Sequence, residues 1–289
     1  MFDNILTPKR TDDGSYTFFS EEFNELFHSH SGAKQEAQYK FSEPCQLKEK
    51  ASSKNTLKIL DICYGLGYNS AAALETIWSV NPHCQIELIA LEKDQTVPLQ
   101  AISHQLLNSW SSPVVEFLKI LAQTQEINNN ILNAKLLLGD ARQTLRTESA
   151  INAIDAIFLD PFSPPKCPQL WTVEFMELIA QCLDKDGYLA TYSCAASVRN
   201  ALQLAGLKIG ATRSVGRRSP GTVANWTGEN LPPLSPQEIE HLNTRAAIAY
   251  RDPNLEDSAA IIHQRRQTEQ ENSNLEPSSH WKKRWINQT

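Results

Sequence analysis

The sequence predicts an α/β fold built on a doubly wound, mostly parallel sheet. Three observations carry this. Short Leu/Ile/Val-rich runs alternate with amphipathic stretches of helical period between residues 57 and 226, the pattern of strand and crossover helix repeated. The first run enters a glycine-bearing turn, LDICYGLGYNS, as a strand does where it opens onto a helix N-terminus. Four runs close on an acid: Asp61, Glu92, Asp140 and Asp160.

The elements follow in order. Residues 1–56 are polar, with turn signals at Asp13-Gly14 and Ser31-Gly32 and a short strand candidate, SYTFF, over 15–19; they read as an N-terminal cap or hairpin rather than core. Within 57–226, strands are expected at 57–62, 86–91, 134–140, 153–160, 188–193 and 207–212. Helices are expected at SAAALETIW, over a long region reaching about Glu126, at 173–183 and near SVRNALQLAG. Residues 227–289 form a polar C-terminal extension, proline-dotted at first, with a helix expected from Pro236 to Tyr250 and a tail ending in HWKKRWINQT.

At 289 residues and 41% hydrophobic, the chain can bury one substantial core with extensions. It has no apolar run of the ~18 residues that span a bilayer, and its N-terminus lacks the basic-then-apolar order of a secretory signal. A soluble, cytoplasmic protein with no membrane partner is expected. The six cysteines form no CxxC pair, so buried thiols are expected rather than a zinc site or disulfide framework. His28 and His30 have no Cys or His cluster nearby; they read as solvent-facing, and no metal site is expected.

The formal charge of −6 argues against a general nucleic-acid binder, yet the charge is uneven. From Gly187 to Gly228 there is no Asp or Glu, while Arg199, Lys208, Arg213, Arg217 and Arg218 all fall there. The segment reads either as a solvated patch or as a phosphate-contacting face. The C-terminal WKKRW reads either as a disordered basic tail or as a second such surface.

In a sheet of this kind ligands bind outside the carboxyl ends of the strands. Gly65 and Gly67 allow a tight turn and close backbone approach, while Cys63 stands where a full dinucleotide pattern has its first glycine; a nucleoside site is favoured over a pyrophosphate-clasping one. Glu92 is placed to accept both ribose hydroxyls, and Asp140 to accept from an adenine amino group. A glycine turn followed by a ribose acid, an adenine acid and a fourth strand-end acid is the order of an S-adenosylmethionine site. The fourth acid, Asp160, opens FLDPFSPPKCPQLW, where Pro161, Pro164, Pro165 and Pro168 stiffen the chain.

These blocks, YGLGYN, LEKD, GDARQTL, DAIFLDPFSPPKCPQLWT, LATYSCAASVRNALQLAG and VGRR, resemble the methyltransferase domain of the tRNA wobble-uridine MnmC family over roughly residues 10–220. The N-terminal TDDGSYTFFSEEFNELFHSHSGAKQEAQYKF resembles the leader of stand-alone members. The resemblance implies a Rossmann-like class I S-adenosyl-L-methionine-dependent methyltransferase. It implies cofactor contacts from Asp61, Tyr64, Gly65, Gly67, Asn69, Glu92, Lys93, Asp140, Ala141 and Asp160. Asp160, Phe162 and Lys166 are implied as catalytic, with Pro165 and Trp171 as acceptor-pocket walls and Arg213, Arg217 and Arg218 as tRNA contacts. The strand-end D-P-F is also similar to the D/N-P-P-Y/F signature of enzymes that methylate exocyclic nitrogens.

The implied substrate is a tRNA wobble uridine bearing a 5-aminomethyl group, converted to 5-methylaminomethyl with or without 2-thiolation. Upstream wobble-uridine modification enzymes would supply it. No flavin oxidase fingerprint follows Gly228, so carboxymethyl removal is expected elsewhere. Two departures from the family are Cys63 in place of a glycine and Pro161 where a small residue is common. The alternatives are a methyltransferase or aminopropyltransferase-like enzyme for a protein or small-molecule amine, and a non-enzymatic cofactor-binding protein.

Overall fold

The computed structural model of the chain describes residues 6–148, 150–215 and 219–286. Its centre is an eight-stranded sheet in the order β11-β12-β10-β9-β5-β6-β8-β7. β5 (Thr56–Ile62), β6 (Gln85–Glu92), β8 (Leu132–Leu138), β9 (Ile154–Leu159) and β10 (Leu183–Thr191) run parallel. β7 (Glu126–Asn128), β11 (Lys208–Ala211) and β12 (Thr222–Asn225) complete the edges through antiparallel pairings. The chain builds outward from β5 through β6 to β8, then crosses to the other side of β5 for β9 and β10, so a topological switch point lies between β5 and β9.

Burial alternates along the central strands. Leu57 and Ile59 pack into one core cluster and Leu60 and Ile62 into the other, as the period of a strand covered on both faces requires. One face carries α3 (Tyr68–Val80), α4 (Thr96–Ser103) and α5 (Ser112–Thr124). The other carries α6 (Ala141–Thr147), α7 (Val173–Cys182) and α8 (Ala196–Leu204). The expected long helix before Glu126 is therefore two helices. Gln105 takes a left-handed φ of 57° and ends the first, while Ser111 and Pro113 start the second.

The first 56 residues do more than cap. β1 (Lys9–Arg10) pairs with β2 (Tyr16–Thr17) and β3 (Phe19–Ser20) with β4 (Glu25–Leu26), two small hairpins in which the SYTFF candidate is split. Beyond them, α1 (Ala33–Glu36), a π-helical segment (Ala37–Ser42) and α2 (Leu47–Ser53) place Ala37, Phe41, Cys45 and Leu47 in the main core. Phe41 meets Phe158 of β9 edge to face at 5.9 Å. These residues are core, which their polar neighbours hide in the sequence.

The C-terminal extension is ordered in the same sense. α9 (Pro236–His241) opens with a Ser235/Glu238 capping box and stops well before Tyr250. The chain leaves the helix there so that Tyr250 can bridge to Thr172 and accept from Val173 N–H at 3.0 Å. α10 (Ala259–Glu271) and α11 (Ser278–Ile286) follow. The WKKRW stretch lies within α11: Trp281 stacks on His241 at 4.0 Å, and Arg284 pairs with Glu240 and Glu276. Both tryptophans and the arginine are used within the protein, Trp285 donating to Glu240.

Arg199, read from the sequence as part of a basic face, is 2% exposed. It donates to Thr222 Oγ1 at 3.0 Å and to the Gly221 carbonyl at 3.2 Å, and pairs with Glu238 at 2.8 Å. It is an internal tie between β12 and α9. Arg199→Ala should destabilise the fold by about 2 to 4 kcal/mol, since a partner is left buried and uncompensated. Urea unfolding reads this, and parent-like stability would return Arg199 to the surface role.

Candidate active site

Between β5 and α3 the chain makes the turn Cys63–Gly67. Three of its residues are left-handed, Cys63 at φ 67°, Gly65 at 55° and Gly67 at 87°. At Gly67 a Cβ would sit 2.6 Å from Tyr64 Oη, so only glycine fits. Cys63 carries its Cβ in the same region at a cost of roughly 1 kcal/mol. The Cys63 and Tyr64 amides both donate to the Leu91 carbonyl at 3.0 Å. Burial raises the pKa values of the Cys63 thiol and the Tyr64 phenol, so both stay protonated.

Glu92, at the end of β6, holds the turn from the other side. Its carboxylate accepts from Gly65 N–H at 2.8 Å, Lys93 N–H at 2.7 Å and Asp94 N–H at 2.9 Å. A carboxylate offers about four acceptor positions, so one remains for a ligand. Burial pushes the Glu92 carboxyl up against the pull of those three amides. The residue read as a ribose acid is also the organiser of the glycine turn.

Beneath the turn lies Asp61, fully buried. One oxygen accepts from Ser70 Oγ at 2.6 Å and the other has no partner. Burial first, with the Glu92 charge adding to it, raises its pKa to about 7 despite the Ser70 hydrogen bonds. Asn69 donates to Asp160 Oδ2 at 2.8 Å, and its own carbonyl oxygen is also orphaned. Two buried acceptors without donors are what an ammonium group, or a water held for one, would satisfy.

Three adjoining cavities open above. The first, about 170 Å³, is walled by Cys63, Glu92, Lys93, Asp140, Ala141 and Arg142, with Glu22 and Phe23 from the N-terminal segment. The second, about 120 Å³, shares Cys63, Glu92 and Lys93 with it and reaches Gly65, Asp160 and Phe162. The third, about 240 Å³, shares Asp160, Pro161 and Phe162 and adds Glu25, His28, His30, Glu36 and Tyr192. Asp160 thus stands where the second cavity meets the third. At the far end Asp140 caps α6 by accepting from Arg142 N–H and is gripped by the Arg142 side chain, Nη2 at 2.7 Å. Burial would raise its pKa, but the Arg142 hydrogen bonds and charge outweigh it and keep the carboxyl below its usual range.

The proline loop is tied down at several points. The Pro161 carbonyl accepts from Tyr192 Oη at 2.9 Å and the Phe162 carbonyl from Trp171 Nε1 at 2.8 Å. Glu25 takes both the hydroxyl and the amide of Ser163, and His263 Nε2 meets the Pro165 carbonyl at 3.0 Å. The Phe162 ring stacks on Phe23 at 4.3 Å.

Several expected site residues sit elsewhere. Trp171 is fully buried under the loop and braces it rather than walling a pocket. Pro165 and Lys166 are exposed on the loop and line none of the three cavities. Arg213 stacks on Tyr39 at 3.5 Å, with Glu43 at 3.9 Å, and lines none of the three cavities. Arg217 and Arg218 lie outside the described residues. His28 is buried rather than solvent-facing: its ring packs on Tyr68 at 5.1 Å, and burial lowers its pKa to about 4 against the raising charges of Glu36 and Asp13. The N-terminal residues Phe23, Glu25, His28, His30 and Glu36 were not read as walls; the density of acids, aromatics and histidines in FSEEFNELFHSH signals the first four, and no such pattern surrounds Glu36.

The profile of a family described as S-adenosyl-L-methionine-dependent methyltransferase matches residues 98–227. The crystal structure of MnmC2 from Aquifex aeolicus superposes with a TM-score of 0.82 at 34% identity, covering 94% of this chain and 87% of that one. An uncharacterized protein of Methanocaldococcus jannaschii is 30% identical, covering 85% of this chain and 67% of its own length. The tRNA 5-methylaminomethyl-2-thiouridine biosynthesis bifunctional protein MnmC of Ralstonia nicotianae is 27% identical over 80% of this chain. The chain spans only 36% of that bifunctional relative.

The buried Asp61 makes a pH prediction. Its folded pKa of about 7 lies above the ordinary aspartate value of 3.8, so folding favours the protonated form. That contribution is whole below about pH 4 and is lost as pH rises through about 7. Between about pH 5 and pH 7 this group should cost the parent stability, against the opposite trend of His28, whose lowered pKa favours folding as pH rises, and Asp61→Asn should remove that cost. Paired urea unfolding series at the two pH values check this; identical slopes for variant and parent would mean that Asp61 is ionised throughout.

Proposed function

The chain belongs to the MnmC2-like family of S-adenosyl-L-methionine-dependent methyltransferases, and we propose that it methylates the primary amine of a 5-aminomethyl uridine at the wobble position of tRNA. The position of Asp160 carries this reading: a strand-end carboxylate held by Asn69, at the junction of a nucleoside-sized groove and a second cavity. The bifunctional relatives, named for tRNA 5-methylaminomethyl-2-thiouridine biosynthesis, support the tRNA acceptor.

When bound, S-adenosyl-L-methionine supplies an electrophilic methyl group on a sulfonium centre. The residues present fit it. The Gly65–Gly67 turn and Glu92 would hold the sugar, and Lys93, Asp140 and Ala141 would border the base; the partnerless oxygen of Asp61 lies beneath the turn and lines none of the three cavities. The chain's remaining task is to present a neutral amine with its lone pair in line, so positioning supplies most of the help. Asp160 accepts one amine N–H and takes or relays the proton that must leave. The Pro161 carbonyl, already accepting from Tyr192, has a second lone pair for another amine N–H. Phe162 gives the acceptor an aromatic wall, and the tethers from Glu25, Tyr192 and Trp171 fix the loop before substrate arrives. Lys166 takes no step in this scheme.

One observation favours a second reading, a protein or small-molecule amine as acceptor. Arg199 and Arg284 are committed to internal carboxylates, which leaves fewer cations for a polyanion than the sequence suggests. Labelled methyl transfer from S-adenosyl-L-methionine to tRNA bearing 5-aminomethyl uridine, run beside unmodified tRNA and free amines, separates the two. Label confined to the aminomethyl tRNA is expected; equal labelling of free amines would favour the second reading. In the same assay Asp160→Asn should bind cofactor normally and lose on the order of a hundredfold or more in turnover. Near-parent turnover would remove Asp160 from the mechanism.

A further inference from the structure

We propose that Asp252, in the C-terminal extension, is a positioning residue for the cofactor, acting through Arg142 on Asp140. This rests on the reading of the first cavity as the adenosine end of the groove. Asp140 and Arg142 wall that cavity and Asp252 does not.

The Arg142 guanidinium is gripped on two edges. Nε and Nη2 face Asp140, with Nη2 to Oδ2 at 2.7 Å, while Nη1 donates to Asp252 Oδ2 at 2.8 Å and to the Asp257 carbonyl at 3.0 Å. Asp252 is fully buried. A buried carboxylate persists only with its charge and lone pairs answered, and here they are. Its other oxygen accepts from Glu256 N–H and Asp257 N–H, both at 3.1 Å, and its own N–H donates to Glu174 Oε2 at 2.7 Å. Asp252 is thus fixed to α7 on one side and to its own turn on the other, and it anchors Arg142 to both.

Without that anchor, Arg142 keeps Asp140 as its one carboxylate partner, two residues away on a short helix at a partly exposed rim. Such pairs are weak and rotamerically loose. Arg142 would then swing with Asp140, and the cavity wall would lose its fixed direction. A carboxylate pre-oriented toward a ligand binds it better than one that must first be ordered.

Asp252→Asn isolates the contact. The amide oxygen can still accept from Glu256 and Asp257, but the amide nitrogen then faces Arg142 Nη1, donor against donor. Calorimetry on the purified full chain should show S-adenosyl-L-methionine bound about fivefold to tenfold more weakly, with kcat at saturating cofactor unchanged. Arg266→Ala is the control, because Arg266 holds the Ile248 carbonyl within the same extension without touching Arg142, Asp252 or Glu174; it should lower Tm and leave cofactor affinity alone. Arg142→Ala combined with Asp252→Asn should weaken binding by less than the sum of the two.

Parent-like affinity in Asp252→Asn, with Tm lowered as in the control, would overturn the proposal and make Asp252 merely structural. Should Asp252→Asn not fold, Arg142→Lys carries the test: a lysine cannot grip both carboxylates, and unchanged affinity in that variant would equally overturn it. A parent that binds the cofactor yet methylates no tRNA would sink the acceptor assignment and leave this inference standing.

Discussion

The site hangs on the contact between the Glu92 carboxylate and the turn that leaves β5. Three left-handed residues in five positions is an unfavourable conformation for the free chain, and Cys63 makes it worse than an all-glycine turn would be. Two acceptors compensate: the Leu91 carbonyl takes the amides at the start of the turn and Glu92 takes the amide in its middle. Both acceptors lie at the end of β6, so the register between β5 and β6 sets the shape of the turn. A change that shifted that register would move the turn, the orphaned oxygen of Asp61 beneath it and Asn69, which holds Asp160.

From there the constraint passes to the proline loop through Asp160, whose carboxylate accepts from Asn69 and whose amide donates to the Ile62 carbonyl. Beyond Asp160 the prolines remove backbone donors, so the loop has few amides with which to hold itself. It is held through its carbonyls and one serine instead, by a tyrosine from β10's end, a tryptophan beneath it, a glutamate from the N-terminal hairpin and a histidine from α10. Proline stiffness narrows the conformations available, and the four tethers choose among them.

The sheet and the strand-end acids were legible because they rest on local pattern: period, apolar runs, and glycines where φ must be positive. Asp61, Glu92, Asp140 and Asp160 stand at the strand ends as the sequence implies. What was not legible is which partner each charged residue takes. Arg199 and Arg284 look from the sequence like free cations, and they are tied to Glu238, Glu240 and Glu276 across the fold. Trp171 looks like a pocket wall because it closes a specific motif, yet its indole N–H is needed to satisfy a loop carbonyl, and that need buries it. Pairing across long sequence separations leaves no periodic trace.

The same reasoning explains why the polar extensions matter to a site that the central sheet alone seems to supply. The sheet offers the floor and one edge of the groove: a turn, four strand-end acids and a stiff loop. It offers no roof. The N-terminal hairpins contribute Phe23 against Phe162 and the Glu25 clasp on Ser163, while the C-terminal segment contributes Asp252 behind Arg142. These contacts are made by charged and aromatic side chains at or behind the rim of the cavities. A segment built for that role must be rich in acids, amides and aromatics, and poor in the apolar periodicity that marks a core. The extensions read as peripheral from composition for the same physical reason that they can wall a polar ligand site.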